Sequence, residues 1–251
     1  MITIGIISCG DDHDYSLDCL PLALQNDILA FYTFNDGSLA DFSANSHNLT
    51  NPSSATPTED RNGNANCAYK FDNKQTAEEL LVTSDSDFLN GLNEFSISLW
   101  YQPLDTSIQG QNIQGMFSRG NETRCSNRMG EWSMSLYDCR RAVFGHNNSV
   151  WANTVTNFTN GCEGEVEALV DKWHHVVGIK NGTDYKIYFN GVLDDTASGD
   201  ANCTVFQSAQ NIGDVFIGYN FTGRIDDIIL YNRELSQSEV DDLYSLEACC
   251  K

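Results

Sequence analysis

Basic residues are scarce in this chain of 251 residues: 14 Lys and Arg stand against 35 Asp and Glu, a net charge of −21 at neutral pH. A surface of this sign repels phosphate backbones and anionic lipid headgroups. We therefore expect no nucleic-acid partner and no direct binding to a membrane surface. The same charge suits solubility in salt and the binding of hard cations, although most of these carboxylates are expected simply to be solvated.

The chain also lacks long apolar runs, interior linkers and several catalytic motifs. No stretch reaches the roughly 18 apolar residues that a membrane-spanning helix needs. No Pro- or Ser-rich linker interrupts the interior, and 41% apolar residues can supply a sizeable core, so we predict one main domain. We find no H-E-x-x-H, no G-x-S-x-G and no P-loop. Metalloprotease, serine-hydrolase and P-loop nucleotide chemistry are therefore not indicated.

Cysteine, by contrast, is abundant, and none of the nine lies in a C-x-x-C pair that would suggest zinc or a redox site. Free thiols in this number are unusual in the cytosol, so the composition indicates a disulfide-bonded protein outside it. The odd count requires one cysteine with another role, and Cys9 is the candidate.

The N-terminal sequence MITIGIISC, which ends at Cys9, resembles a bacterial lipobox, and the Asp-rich segment 10–14 resembles the acidic tether of Bacteroidetes surface lipoproteins. The resemblance implies a lipid anchor at Cys9, an outer-membrane lipoprotein at the cell surface, and residues 1–24 as signal remnant and tether. The segment departs from the pattern because it has no basic n-region and a short apolar run. The alternative is a first strand with a buried Cys9.

Period-two alternation, as in a half-buried strand, is clearest between Trp173 and Leu235. The runs 175–179 and 185–189 are separated by Asn181-Gly182, and the second ends at Asn190-Gly191. Asn-Gly pairs suit type I′ turns, in which both central residues have φ > 0. The segment therefore predicts consecutive hairpins.

Further strands are predicted along the rest of the chain, with a helix at its end. The helix spans 236–246, with Ser236 as N-cap and Val240, Leu243 and Tyr244 on one face. Residues 35–66 are rich in turn formers and predict a long loop. The predicted strands are 28–34, 68–72, 79–82, 95–101, 114–119, 131–137, 141–145, 149–153, a strand from Val192, and 221–231.

These segments also carry a family resemblance. The order W-H-H-V at 173–176, Y-F-N-G at 188–191, I-G-Y at 217–219 and G-R-I-D-D-I-I-L-Y at 223–231 is similar to the laminin G-like, concanavalin A-like lectin and glucanase family, in its bacterial, pentraxin-related branch. The segments 28–37 and 95–101 resemble its opening and central strands. The resemblance implies an all-β jelly-roll sandwich of two antiparallel sheets with one short C-terminal helix, over residues 25–248.

Glycanases occur in this family, so two paired carboxylates are the first site to seek. Laminarinase-type relatives carry them as E-x-D-x-x-E on one strand, and this sequence has no such motif. Glu163, Glu165 and Glu167 alternate but follow Cys162 in a predicted loop. We therefore expect no enzyme, and glycoside hydrolysis ranks third among the functions considered.

A structural calcium site is implied by the resemblance, which pairs Asp41 with Asp226. The parity of Asp226 matches that of Ile228 and Leu230, so its carboxylate is predicted to point inward, where it needs a cation, a basic partner or several donors. Asn35 and Asp36 could supply further oxygen ligands to Ca²⁺. The alternative is a hydrogen-bonded aspartate that holds the loop without metal.

Sugar-binding sites use aromatic platforms with a few polar groups. We expect the ligand to be a glycan or an extracellular protein, and the sequence predicts a surface-anchored, non-catalytic module for carbohydrate binding or adhesion. A protein-interaction module without sugar binding is the alternative. The candidate ligand-binding residues are Tyr101, Arg119, Trp132, Tyr137 and Trp151.

With Cys9 set aside, eight cysteines can close four bridges in 105 ways. Sequence proximity favours Cys125–Cys139 and Cys162–Cys203. Because jelly-roll termini usually lie close together, the resemblance implies that Cys19 and Cys67 take Cys249 and Cys250, in one order or the other. Seven Asn-x-Ser/Thr sequons would carry glycan in a eukaryotic secreted protein but are incidental in a bacterial one. They are Asn48, Asn121, Asn147, Asn157, Asn181, Asn202 and Asn220.

Overall fold

A computed structural model describes residues 17–43, 45–74, 79–83, 87–89, 91–105, 113–119, 132–137, 139, 141–146, 150–154, 168–199 and 214–250. They form two antiparallel sheets with a C-terminal helix, α1 (Gln237–Ser245), which confirms the predicted jelly-roll sandwich. The strands are β1 (Ile28–Tyr32), β2 (Thr56–Thr58), β3 (Ala68–Asp72), β4 (Leu81–Thr83), β5 (Glu94–Pro103), β6 (Gln114–Arg119), β7 (Trp132–Tyr137), β8 (Arg141–His146), β9 (Val150–Asn153), β10 (His174–Asn181), β11 (Asp184–Phe189), β12 (Val192–Ser198), β13 (Val215–Ile217) and β14 (Thr222–Tyr231).

The large sheet has the order β12-β11-β10-β5-β14-β3-β2, and the small sheet has the order β4-β13-β6-β7-β8-β9. Strand β14 is central to the large sheet. One of its edges pairs with β5, while the other pairs with β3 at 222–225 and with β1 at 228–231. Two strands thus share one edge of β14, and the change of partner falls at Asp226 and Asp227.

Alternation along the large sheet separates two apolar layers. In β5, Ile97, Leu99 and Tyr101 enter the core between the sheets, whereas Trp100 belongs to the opposite, outer face. That outer face is itself covered, by the segment 17–25 and by α1, so the central strands are buried on both sides. The outer layer contains Leu20, Leu24, Phe31, Phe42, Val177, Ile179, Tyr188, Ile229, Tyr231, Leu235, Val240 and Leu243.

A β-bulge interrupts β14 at the two aspartates. The register to β5 shifts between Asp226 and Ile229, and Asp227 has φ 39°. The extra residue reverses the alternation, so Ile225 and Ile228 both enter the inner core while the residues between them do not. The prediction that Asp226 points inward with Ile228 is therefore wrong: both aspartates face the outer layer.

Both predicted hairpins are present, with different turns. Asn190 and Gly191 are the two central residues of the β11–β12 turn, with φ 49° and 83°, as a type I′ turn requires. In the β10–β11 turn, however, Asn181 still pairs with Asp184, so Gly182 (φ 58°) and Thr183 are central. A positive φ at the first central residue alone is the type II′ pattern.

Helix α1 starts as predicted, with a capping box between Ser236 and Glu239. Val240 and Leu243 are buried, but Tyr244 is 41% exposed at the margin of the helix. The predicted loop 35–66 contains the short strand β2, and β13 is a strand that the alternation does not reveal because it is only three residues long. Within the described ranges, no helix is long and apolar enough to cross a bilayer.

Candidate functional site on the outer face of the large sheet

The bulge in β14 aims two neighbouring carboxylates at one guanidinium. Arg61 Nη1 donates to Asp226 Oδ2 at 2.6 Å and to Asp227 Oδ2 at 2.8 Å. The side chains of the three residues are 7%, 0% and 6% exposed, respectively. Arg61 is thus the basic partner of Asp226, and it comes from the loop before β3. We call these three residues the Arg61 cluster.

The C-terminal tail closes over the Arg61 cluster. Arg61 Nη2 donates to the Leu246 carbonyl at 3.3 Å, and the Cys249 amide donates to Asp227 Oδ2 at 2.9 Å. The Arg61 guanidinium also lies over the Trp100 ring, 4.6 Å from its centroid. The contact between Arg61 and Asp226 was not predicted from the sequence. The two residues are 165 positions apart along the chain, and no local pattern distinguishes Arg61 from other surface arginines.

One guanidinium faces two acids in this cluster. Burial raises the pKa of Asp226 well above its usual range, the Asp227 carboxylate raises it further, and Arg61 only partly offsets these effects. Burial likewise raises the pKa of Asp227, against Arg61 and the Cys249 amide. Asp226 Oδ1 and Asp227 Oδ1 have no hydrogen-bond partner in the structure. Both observations indicate that the pair retains a proton at pH values at which an exposed pair would be fully ionised.

The two aspartates of the predicted calcium site are engaged by different protein donors. Asp41 Oδ1 accepts from the amides of Phe31 and Ser43, both at 2.9 Å, and Oδ2 accepts from the His47 amide at 3.0 Å. Asp41 is therefore the aspartate that holds its loop by hydrogen bonds, while Asp226 Oδ2 is bound by Arg61. No group of three or more His, Cys, Asp or Glu that could hold a metal occurs among the described residues.

The two other proposed ligands lie in the short 3₁₀ turn that follows β1. Asn35 Oδ1 is 3.2 Å from Cys250 Sγ, which has no proton to donate because it belongs to a disulfide. Asp36 is exposed and has φ 52° in a short 3₁₀ turn. These contacts give the calcium prediction no support, and it stays a prediction from the sequence.

Two disulfides fasten the tail beside the Arg61 cluster. Cys19 is bonded to Cys249 and Cys67 to Cys250, with Cα–Cα distances of 5.4 and 5.5 Å. These are one of the two orders implied for the terminal cysteines. Cys139 is also disulfide-bonded, but its partner lies outside the described residues. So do Cys9, Cys125, Cys162 and Cys203, whose predicted lipidation and pairing stay predictions.

Three of the five predicted ligand-binding residues lie inside the protein. Tyr101, Arg119 and Trp132 are at most 3% exposed. Trp132 stacks on Phe117 in the inner core, with 5.5 Å between ring centroids, and Arg119 Nη1 donates to the Leu89 carbonyl at 2.6 Å. Their assignment to a ligand site is wrong, because the alternation of β5, β6 and β7 turns these side chains away from solvent.

The remaining two residues, Tyr137 and Trp151, are still candidates for ligand binding. Tyr137 is half-buried at the end of β7. Its parity is that of Ser133 and Ser135, opposite to Met134 and Leu136 of the inner core. Trp151 belongs to β9, beside Ala152, and its side chain lies outside the described part of the structure.

An aromatic stack that the sequence did not suggest lies next to the Arg61 cluster. The Trp100 and Tyr244 rings are 5.8 Å apart and 15° from parallel, and the His175 ring lies 5.1 Å from Trp100. His175 Nε2 is 2.8 Å from Ser98 Oγ. Burial, with a smaller effect of Arg61, lowers the pKa of His175 to about 3. Trp100 and His175 lie directly opposite each other in the pairing of β5 with β10, so a prediction of that pairing could have indicated their contact. Tyr244 comes from the helix, far along the chain, and has no such signal.

The site offers no open pair of carboxylates for hydrolysis. Asp226 and Asp227 are adjacent, but Arg61 and the tail cover them, and both accept hydrogen bonds from the same guanidinium. A retaining glycosidase needs one carboxylate as nucleophile and one as acid, both facing substrate. Glu163, Glu165 and Glu167 lie outside the described residues. The geometry therefore indicates a structural role for the Arg61 cluster.

The fold and these strands match the family described as the concanavalin A-like lectin/glucanases superfamily, of laminin G type, over residues 75–241. The match spans 167 of 251 residues, so the chain belongs to this family. The pentraxin-related branch suggested by the sequence is not distinguished by this match. No curated protein matches the chain.

Several solved structures with a similar fold are binding domains of toxins. The binding domain of botulinum neurotoxin DC, solved with rat synaptotagmin II, has a TM-score of 0.66 and 15% identity, and the match covers 88% of this chain and 51% of that one. The binding domain of Paraclostridial Mosquitocidal Protein 1 has a TM-score of 0.61 and 16% identity, over 88% and 52%. This chain thus spans about half the length of these toxin domains.

A closer match in size is domain 4 of AbnA, a GH43 extracellular arabinanase from Geobacillus stearothermophilus, solved with arabinotriose. Its TM-score is 0.60 and its identity 17%, and the match covers 87% of this chain and 98% of that domain. At these identities the likeness shows the fold alone.

Proposed function

We propose that this chain is a non-catalytic binding module that recognises carbohydrate outside the cell. The observation that carries the proposal is that the adjacent acids of the sandwich are sealed under Arg61 and a disulfide-bonded tail. The arabinanase domain, which matches over nearly its whole length and was solved with a sugar, supports a glycan as the ligand class. Disulfide bonds support a location outside the cytosol.

Attachment to the bacterial outer membrane through a lipidated Cys9 is part of the proposal. Stable anchoring needs more than one acyl chain, so a multiply acylated N-terminus is expected. Mass spectrometry of the native protein tests this point, and an unmodified Cys9 thiol would refute it without affecting glycan recognition.

Glycan binding is tested on an array of neutral and acidic polysaccharides with the wild-type chain and with Tyr137→Ala and Trp151→Ala. A stacked aromatic contributes about 1 kcal/mol or more, so each variant should bind the recognised glycan several-fold more weakly. Tyr244→Ala is the matched aromatic control, because Tyr244 packs on the outer face of the large sheet whereas Tyr137 and Trp151 belong to the small sheet. This variant should bind the glycan as the wild type does. Failure of the wild-type chain to retain any glycan would overturn the proposal, and release of reducing sugar would show an enzyme instead.

A further inference from the structure

Positive charge without a partner is concentrated on one part of the large sheet. Several basic side chains bind carboxylates or backbone carbonyls, namely Arg61, Arg119, Lys172, Lys180, Lys186 and Arg233. Lys70, Lys74 and Arg224, by contrast, have no hydrogen-bond or ion-pair partner among the described residues. Lys70 lies on β3, Arg224 on β14, and Lys74 two residues beyond β3. These unpaired cations are thus neighbours in an otherwise acidic chain.

Strand pairing places two of these cations in one row with a hydroxyl and an amide. Lys70 pairs with Thr56 of β2 on one side and with Arg224 on the other, and Arg224 pairs in turn with Gln102 of β5. On all four strands an adjacent residue enters the inner core, so these four side chains belong to the outer face. Neighbouring strands are about 4.8 Å apart, so the row is roughly 14 Å long. We call Thr56, Lys70, Arg224 and Gln102 the basic row.

The basic row is open to solvent at the edge of the sheet and becomes buried toward its centre. Thr56 and Lys70 are exposed, Arg224 is half-buried and Gln102 is 8% exposed. Gln102 Nε2 donates to Asp171 Oδ1 at 3.3 Å, but Gln102 Oε1 and Arg224 Nε are both buried without a partner. Rotation of the two side chains would join these atoms and leave the Nη groups of Arg224 for an external acceptor.

Two like charges lie directly opposite each other in this row, an arrangement that destabilises a sheet when nothing neutralises it. The acids nearest along the two strands are Asp72 and Asp226. Asp226 is bound by Arg61. Asp72 is exposed and makes no ion pair with Lys70 or Arg224 in the described structure. An external anion would relieve the repulsion, and acids elsewhere on the chain are screened beyond about 10 Å at 0.1 M salt.

From these observations we infer that the basic row binds a glycan that carries acidic groups, either the carboxylates of uronic acids or sulfate esters. This inference rests on the proposed function and names its ligand class. Lys70 and Arg224 bind one acidic group between them, because a guanidinium matches the geometry of an oxyanion and the ammonium adds charge. Thr56 and Gln102, at the two ends of the row, are neutral groups that can bind sugar hydroxyls. The contact is driven in part by charge and is weakened by salt.

The test uses three glycans that differ in their acidic groups. Oligogalacturonate carries carboxylates, its methyl-esterified form carries none, and sulfated dextran carries sulfate esters. Binding of the full chain to each is measured by calorimetry at 50 and 300 mM salt. We expect at least one acidic glycan to bind at low salt and to lose about tenfold or more in affinity at high salt. The esterified form should bind about tenfold more weakly than the free acid, and a preference between the two acidic glycans identifies the group that is recognised.

Lys70→Gln/Arg224→Gln should weaken binding of the acidic glycan about tenfold or more. Asp72→Asn should strengthen it, because the variant removes a carboxylate that competes for Lys70. Lys180→Gln/Lys186→Gln, on the β10–β11 hairpin, is the matched control, because it removes the same amount of charge away from the row. This control should bind within about twofold of the wild type.

Thermal unfolding is compared for all variants, since Arg224 is half-buried. Lys70→Gln alone changes an exposed side chain and removes the repulsion, so it should melt no lower than the wild type, and it decides the matter if the double variant is destabilised. Unchanged binding in the row variants, an equal loss in the control, or equally tight binding of a polyglutamate peptide would each overturn the inference. Binding of neutral glycans alone would also overturn it but leave the proposed function intact, whereas binding of no glycan at all would overturn both.

Discussion

At the scale of single residues, the buried charges determine most of what is specific to this protein. Asp226 and Asp227 would be very costly to bury alone, and Arg61 makes them tolerable without providing full neutrality. His175 lies in the same layer as a buried neutral imidazole, with Nε2 near Ser98 Oγ and Nδ1 unpaired. These groups respond differently to mutation and to pH, which makes them separable by experiment.

Arg61→Ala should destabilise the fold by about 3–5 kcal/mol, because it leaves two buried carboxylates without a cation. Arg61→Met combined with Asp226→Asn and Asp227→Asn should recover most of that loss, since no charge is then buried. The measurement is the free energy of unfolding by urea. Arg233→Ala is the control, since its ion pairs with Asp27 and Glu239 are partly exposed and should contribute about 1 kcal/mol or less. A loss no larger than that of the control would show that the Arg61 cluster is not buried as described.

His175 should make the protein sensitive to acid. Its pKa falls to about 3 in the folded protein, whereas an unfolded histidine titrates near about 6.5. Between these values the unfolded chain binds more protons, so this contribution to stability is present above pH 6.5 and is lost as pH falls toward 3. The raised carboxylate pKa values act in the opposite sense, because the folded state binds more protons there and stability falls as pH rises.

The variant His175→Gln isolates the histidine contribution. We expect the drop in unfolding free energy between pH 7 and pH 4.5 to be smaller in the variant by about 2–3 kcal/mol. Unfolding by urea at several pH values measures it. An identical pH profile in both proteins would mean that His175 is solvated or ionised in the folded state.

At the scale of elements, two disulfides bind the ends of the chain to the outer face of the large sheet. Cys19–Cys249 joins the segment before β1 to the tail after α1, across 230 residues of sequence. Cys67–Cys250 joins the same tail to the start of β3. Leu246 and Cys249 also pack against the outer layer, so the tail is held by the two disulfides, by the hydrogen bonds to the Arg61 cluster and by this apolar contact.

Cys19→Ser/Cys249→Ser should lower the free energy of unfolding by about 2–4 kcal/mol, chiefly because the unfolded chain gains freedom. Chemical denaturation of the oxidised protein gives this value. The strands of the two sheets should keep their far-ultraviolet signature, since the inner core does not involve this bond. A denaturation midpoint unchanged from the wild type would contradict the importance of this bond for the tail.

At the scale of the whole molecule, two apolar layers bury the central strands of the large sheet on both faces. Calcium at Asp41 and Asp226 would raise stability by about 2.7 kcal/mol at a hundredfold excess over Kd. Because backbone amides bind both oxygens of Asp41 and Arg61 binds Oδ2 of Asp226, we expect the melting temperature to be the same in chelator and in millimolar calcium. A rise of several degrees on adding Ca²⁺, lost in Asp226→Asn, would restore the prediction from the sequence.

The sequence by itself determined the elements of this protein. Period-two alternation located most strands within one or two residues, and the Ser236 cap located α1, because these signals depend on neighbours a few positions apart. The order of the strand motifs identified the family. Local signals were enough wherever the interaction that decides the structure is itself local.

The tertiary structure decided the site. The bulge at Asp227 reversed the face to which Asp226 points, and no pattern of alternating residues contains that extra residue. Alternation showed which neighbours share a strand face with Tyr101 and with Trp132. Only the packing of the two sheets decided that this face is the interior one. Arg61, Trp100 and Tyr244 meet because strands and helix from three distant parts of the chain cover one face. Contacts of that kind depend on the closed sandwich, and a linear sequence does not show which of its distant residues will share a layer.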